Sequence, residues 1–257
     1  MNTDIYTKLL QKRADKPCLF CLIDPDKNDI ENNVRLAEKY KENGTDAILI
    51  GGSIMIENNY EETIRRIKEK VDIPVIIFPG LFNFVSKYAD AILLLNMIST
   101  RNPQVLIEEQ VRCAPQIYQA KLETIPTAYM LVESGNLSSV QYMSHSIPIP
   151  AKKNDIAVVH ALAGQYMGQK MVYLEAGSGA KYPVPDEMIK AVTSKIDIPL
   201  IVGGGIKDPE TARQKAEAGA DFVVIGTVLE QMNDYKIVKD FAQAVHSVDK
   251  PFNKSGV

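Results

Sequence analysis

The chain has 257 residues, 46% of them hydrophobic, and a formal net charge of −3. That length suffices for one large core and matches the ~250 residues typical of a (β/α)8 barrel, while the near-balanced charge excludes non-specific binding to nucleic acid. Three cysteines exclude a disulfide framework and point to a reducing compartment. The mixed-charge N-terminus has no signal-peptide core, and apolar runs such as 91–95 fall far short of the ~20 residues of a membrane span. A cytoplasmic protein is expected, one that handles any lipid from a groove or at a membrane surface.

Short apolar runs rich in β-branched residues predict strands at 18–23, 47–50, 75–78, 91–95, 128–132, 171–174, 200–202 and 222–225. None of them alternates, as expected of parallel strands buried on both faces. Helical patterns fall between them at 30–43, 60–70, 105–120, 155–167, 186–194, 209–218 and 235–247. Eight strands, intervening helices and no linker predict a single closed (β/α)8 barrel over 1–257, with an open doubly wound sheet as the structural alternative. Two local repeats support the unit. Glu42 to Gly51 is similar to Glu217 to Gly226, each with a helix ending at a glycine (Gly44, Gly219) before the next strand. Asp72-Ile-Pro-Val-Ile-Ile likewise matches Asp197-Ile-Pro-Leu-Ile-Val.

Two stretches break the rhythm. Only 79–90 separates the third and fourth strands, and Pro79-Gly80 consumes part of it, so an irregular segment is expected in place of the third helix. Residues 133–153 form a long segment with Pro148 and Pro150, read either as a lid or as a tethering loop.

The working face of such a barrel is the carboxyl end of its strands, with phosphate often held at the seventh and eighth loops. Glycines cluster there: Gly203-Gly204-Gly205-Ile206 after strand seven, Gly226-Thr227 after strand eight, and Tyr173-Leu174-Glu175-Ala176-Gly177-Ser178-Gly179 at strand six. Glycine lets backbone N–H groups approach phosphate oxygens with no Cβ in the way, and Asp208-Pro209 starts a helix close behind. One cluster alone could be a tight turn; three at successive strand ends point to a phosphate monoester. Strand one ends in Leu22-Ile23-Asp24-Pro25-Asp26-Lys27 and strand two in Gly51-Gly52-Ser53. Asp24 suits Mg2+, which is usually bound by one or two carboxylates plus substrate phosphate and water, and Ser53 could assist; an ordinary turn is the other reading. Asp26 and Lys27 read as turn and surface residues, with Lys27 able to reach an anionic substrate. Cys18 and Cys21 should face opposite sides of a strand, so their spacing does not suggest a metal. Cys113 reads as packing, and His160 and His246 as helical structural residues. No Ser-His-Asp order or zinc spacing emerges.

In this order the segments 22–27, 51–53, 173–179, 203–206 and 226–227 resemble the geranylgeranylglyceryl phosphate synthases, with Tyr-Leu-Glu-Ala-Gly-Ser-Gly the most specific part. The resemblance spans nearly the whole chain and falls in the longer-chain group of some archaea and Bacteroidetes-type bacteria. It implies Mg2+-dependent transfer of a prenyl group, geranylgeranyl by expectation, from its diphosphate to sn-glycerol 1-phosphate. The product is an ether, the first ether linkage of ether phospholipid synthesis. It also implies Asp24 and Ser53 at the metal, residues 173–179 with Gly204, Gly205, Gly226 and Thr227 at glycerol phosphate, and a homo-oligomer, dimer or hexamer. The shorter relatives carry a lysine where this chain has Leu22, so a role for that lysine does not transfer. Among these residues, Glu175 is the candidate for orienting the glycerol hydroxyl or accepting its proton, with Tyr173 beside it; Glu175 could instead only bind the diol. Leu81, Phe82 and Phe84 are candidates for lining a prenyl groove, with ordinary packing equally open. Alternatives are another phosphate-binding barrel enzyme (an isomerase or lyase), the same reaction with another prenyl length such as heptaprenyl, or a non-catalytic phosphate- or lipid-binding module.

Overall fold

The computed structural model describes residues 4–52, 56, 59–80, 84–230 and 235–249. Eight parallel strands close into a barrel in sequence order. They are β1 (Cys18–Ile23), β2 (Ala47–Ile50), β3 (Val75–Ile77), β4 (Ala91–Met97), β5 (Glu123–Leu131), β6 (Met171–Glu175), β7 (Leu200–Gly203) and β8 (Phe222–Ile225). Closure runs through β8 against β1, with Cys18 opposite Phe222 and Cys21 opposite Ile225. Alternate side chains feed two cores. An inner one fills the barrel with residues such as Phe20, Leu49, Leu93 and Phe222, the Phe20 and Phe222 rings stacked at 4.8 Å. An outer one packs Leu19, Ile48, Val172 and Val202 against the helices. Cys18 belongs to the inner core and Cys21 to the outer, as the strand period requires. Both are free thiols, like the buried Cys113.

The helices of the repeat are α2 (Ile30–Glu42), α3 (Tyr60–Lys68), α4 (Glu109–Ala120), α6 (Asn154–Tyr166), α7 (Asp186–Thr193), α8 (Pro209–Glu217) and α10 (Lys236–His246). Asp29 and Asp208 cap α2 and α8 by accepting the N–H of Asn32 and Thr211. Gly44 and Gly219 take left-handed φ of 96° and 116° just past their helices, the stop expected of them. Among the described residues no helix joins β3 to β4, in keeping with the short connection.

Four elements go beyond the sequence expectation. A first helix, α1 (Ile5–Asp15), plugs the amino end of the barrel: Leu9 enters the inner core, and the N–H groups of Ile5 and Tyr6 donate to the Glu123 carboxylate at 2.7 and 2.9 Å. A π-helical turn, Gln104–Glu108, precedes α4 where a continuous α-helix was expected. Its carbonyls find side-chain partners, with the Asn96 amide on Leu106 and the Gln110 amide on Val105. Two short helices, α5 (Ser139–Ser144) and α9 (Thr227–Glu230), sit at the carboxyl face. β5 also begins five residues before the expected 128, because Glu123 is recruited to hold α1.

Candidate active site

A cavity of about 480 Å³ opens at the carboxyl ends of the strands, within the usual range for small-molecule sites. Asp24, Lys27, Tyr173, Glu175 and the glycine turns after β6, β7 and β8 line it. Gly204 has a φ of 81°, and a Cβ there would lie 2.3 Å from Glu175 Oε1 and 2.7 Å from Gly177 N. Only glycine lets the β6 and β7 turns approach so closely. Ser178 and Thr227 hydroxyls lie 3.2 Å apart, joining the β6 and β8 ends of the same cradle.

Glu175 ends β6 with 6% exposure. Burial raises its carboxyl above the ordinary range, opposed by hydrogen bonds from the Gly177 N–H, at 2.5 Å to Oε1, and from the Tyr173 hydroxyl. The result is a desolvated, oriented carboxylate against the phosphate-type cradle. Leu174 and Ala176 alternate outward into the outer core, so their side chains do not line the cavity, and the Ala176 N–H is taken by the Gly203 carbonyl at 3.0 Å. A Cβ on Gly226 would lie 3.3 Å from Leu22, which lines the cavity.

Across the mouth, Asp24 lies against Gly52, whose Cβ would come within 2.8 Å of its Oδ1. Asp24 Oδ1 accepts the Asp26 N–H at 3.2 Å, and Lys27 Nζ stands 3.9 Å from Oδ2. Asp26 in turn accepts the N–H of Ile56, tying the first two loops together. Among the described residues no three His, Cys, Asp or Glu side chains gather into a metal cage. A single carboxylate, Asp24, lining the cavity opposite the glycine turns instead fits Mg2+, which usually takes its other oxygens from substrate phosphates and water. Ser53, Leu81 and Phe82 lie outside the described residues. Phe84 does not enter a groove; it packs on Tyr60 with ring centroids 5.4 Å apart, in the outer core.

An apolar groove, which the sequence did not locate, leads off the polar cavity. Its walls include Phe78, Leu94, Met97, Val105, Tyr129 and Val140, and it shares Gly52, Phe78, Tyr129 and Val140 with the cavity. At the junction Phe78, Tyr129 and Tyr173 form an aromatic cluster, with centroids 5.4 to 6.3 Å apart. Tyr129 and Tyr173 are direct register partners on β5 and β6. Two inward tyrosines at matched positions were the available signal, visible only once the strands are paired.

The family model described as the PcrB family matches residues 10–245. The chain belongs to the PcrB family. Along nearly its whole length it belongs with the geranylgeranylglyceryl phosphate synthases: it is 42% identical to that enzyme of Chitinophaga pinensis, over 96% of this chain and 98% of the relative. The enzyme of Methanosphaera stadtmanae is also 42% identical, over 96% of this chain and 100% of the relative. The structure of (S)-3-O-geranylgeranylglyceryl phosphate synthase from Thermoplasma acidophilum, in complex with substrate sn-glycerol-1-phosphate, matches with a TM-score of 0.92. It is 35% identical, over 96% of this chain and 100% of that one. This family member is thus a barrel enzyme with a polar cradle and an apolar groove sharing one wall. Among its described residues, no helix is long and apolar enough to cross a membrane.

Proposed function

We propose that this protein transfers a geranylgeranyl group from its diphosphate to sn-glycerol 1-phosphate, forming an ether and releasing diphosphate, with Mg2+ as cofactor. The observation that carries this reading is the junction, across Phe78, Tyr129 and Val140, of an apolar groove with a glycine-lined anion cradle that holds the buried Glu175 carboxylate. A phosphate monoester with a hydroxyl fits the first chamber and an isoprenoid tail the second; neither chamber alone accounts for the other. The relatives' names support it as far as the geranylgeranylglyceryl phosphate product, and the Thermoplasma acidophilum structure names sn-glycerol-1-phosphate as substrate.

The glycerol phosphate is held by backbone N–H groups of 178–179 and 204–205 and by the Ser178 and Thr227 hydroxyls, which fixes the glycerol hydroxyl near Glu175. The allylic C–O bond breaks with its electron pair leaving on the diphosphate. Asp24 would hold Mg2+, which when bound would supply positive charge to the leaving diphosphate. Lys27, at the same end of the cavity, adds a positive charge. The positive charge developing on the allyl carbon faces the rings of Tyr129, Phe78 and Tyr173, whose π faces attract cations. The glycerol oxygen attacks that carbon while Glu175, fixed by Gly177 and Tyr173, takes the proton. No protein nucleophile is needed. We further read the chain as a homo-oligomer that meets a lipid surface only to release product, making the first ether link of ether phospholipids.

The test is a product assay with sn-glycerol 1-phosphate, its 3-phosphate enantiomer and prenyl diphosphates from geranyl to heptaprenyl, with and without Mg2+. Ether from the 1-phosphate and geranylgeranyl diphosphate alone, abolished by chelation and in Asp24→Asn with the fold intact, is expected. Turnover without divalent metal, or full activity in Asp24→Asn, would remove the metal assignment.

A further inference from the structure

The segment after β5 is built into the site in a way the reaction above does not use. Val132 and Ile149 form a β-bridge that closes the segment at its base, with Glu133 N–H on Ile149 O at 2.9 Å and Ile149 N–H on Leu131 O at 2.8 Å. Within it, Ser134, Ser138, Ser144 and Ser146 are buried, so the segment packs down onto the barrel mouth. Val140, in the first turn of α5, lines both the polar cavity and the apolar groove.

This cover is stitched to the phosphate loop of β6. The Lys181 N–H donates to Asn136 Oδ1 at 2.9 Å, and Asn136 Nδ2 donates to the Gly179 carbonyl at 3.4 Å. The Tyr182 N–H donates to the Ser134 carbonyl at 3.0 Å. Ser138 packs against Gly177 so closely that a Cβ there would lie 2.6 Å from the Ser138 Cβ. The Asn136 side chain thus spans two backbone groups, the Gly179 carbonyl and the Lys181 N–H, of the loop after β6. The hydroxyl acceptor would bind on one side of this stitch and the prenyl tail under the other.

We propose that Asn136 is a positioning residue that makes the β6 phosphate loop and the α5 cover one unit, so that glycerol phosphate and prenyl diphosphate each tighten the other's binding. This rests on the proposed function. Ordering the loop around phosphate orders the cover over the tail, and linkage makes the effect reciprocal.

The experiment is calorimetric titration of sn-glycerol 1-phosphate in Mg2+, with and without the unreactive geranylgeranyl thiolodiphosphate, on wild type, Asn136→Ala and Leu137→Ala. Leu137 is an exposed neighbour in the same segment and serves as the control. Wild type and Leu137→Ala should show each ligand tightening the other by about five-fold or more. In Asn136→Ala that factor should fall below about two, with each ligand alone bound within about three-fold of wild type and the melting temperature unchanged. Coupling that is absent in the wild type, or equal in Asn136→Ala and wild type, would overturn the proposal. Failure of wild type to bind either ligand would instead remove the function reading beneath it, and the proposal with it.

Discussion

Glu175 is 6% exposed, and burial lifts its carboxyl above the ordinary range against the pull of the Gly177 and Tyr173 donors. Its proton therefore has opposite consequences for stability and for rate. Between the ordinary glutamate value of about 4.3 and the raised folded value, the folded chain holds a proton that the unfolded chain has lost. Stability then falls as pH rises through that window, and the full penalty of a buried charge is present above it. The proton acceptor, by contrast, works only when ionised. Turnover should rise with pH along a limb whose apparent pKa lies above about 4.3. Glu175→Gln should lose about 10²- to 10⁴-fold in kcat, lose that limb, and leave the affinity for glycerol phosphate within a few-fold. Thermal melts should also show Glu175→Gln more stable than wild type at pH 8 and no more stable at pH 4. An unchanged kcat would reduce Glu175 to a binding group for the diol.

At the scale of elements, the strands were legible because a parallel strand buried on both faces must be an unbroken apolar run. Three of them, 18–23, 47–50 and 222–225, have the expected ends. The glycine turns were legible for a related reason: no other residue tolerates Gly204's φ of 81° beside Glu175. What stayed hidden depends on partners distant in sequence. α1 reads as a weak polar stretch until Glu123, 118 residues from Ile5, caps its first N–H groups. The π turn has the composition of a helix, and only the amides of Asn96 and Gln110 reveal its displaced carbonyls. The groove was missed because Phe78, Tyr129 and Val140 come from three separate segments and each looks like core. The plug has a consequence of its own. Leu9 is 2% exposed and fills the barrel floor, so Leu9→Ala should cost about 2–5 kcal/mol. Denaturant unfolding should show that loss while both KM values stay at wild-type level, since the floor lies at the opposite end of the barrel from the cavity. A changed KM would mean that the barrel transmits packing defects along its axis.

The whole molecule divides its labour between its two ends. In barrels the carboxyl face carries chemistry and the amino face carries stability. Here the amino face gathers charge without any cavity role. Asp46, 3% exposed, accepts the Leu19 N–H at 2.6 Å, Lys12 at 2.7 Å and His246 at 2.7 Å. One carboxylate thus ties α1, β1 and α10, the two ends of the described chain, to the barrel floor. Burial alone would raise the Asp46 carboxyl, but the bonds from His246 and Lys12 outweigh it and hold the group below the ordinary aspartate range. An acid with a depressed folded pKa stabilises above its unfolded value, about 3.9, and loses that contribution as pH falls through the folded value. Wild type should therefore lose this contribution only below about pH 4. Asp46→Asn keeps an acceptor for Leu19 but gives up the charge. It should cost about 2 kcal/mol at neutral pH, less than a fully buried pair, because Lys12 is 46% exposed and screened by water. For a chain of this size that is a fall of about 5 °C in Tm. The difference from wild type should shrink toward zero in acid, while the rate with saturating substrates stays unchanged throughout. A Tm difference that persists below pH 3, or a fall in kcat, would show that Asp46 acts through packing or reaches the carboxyl face, and the division between the two ends would not hold.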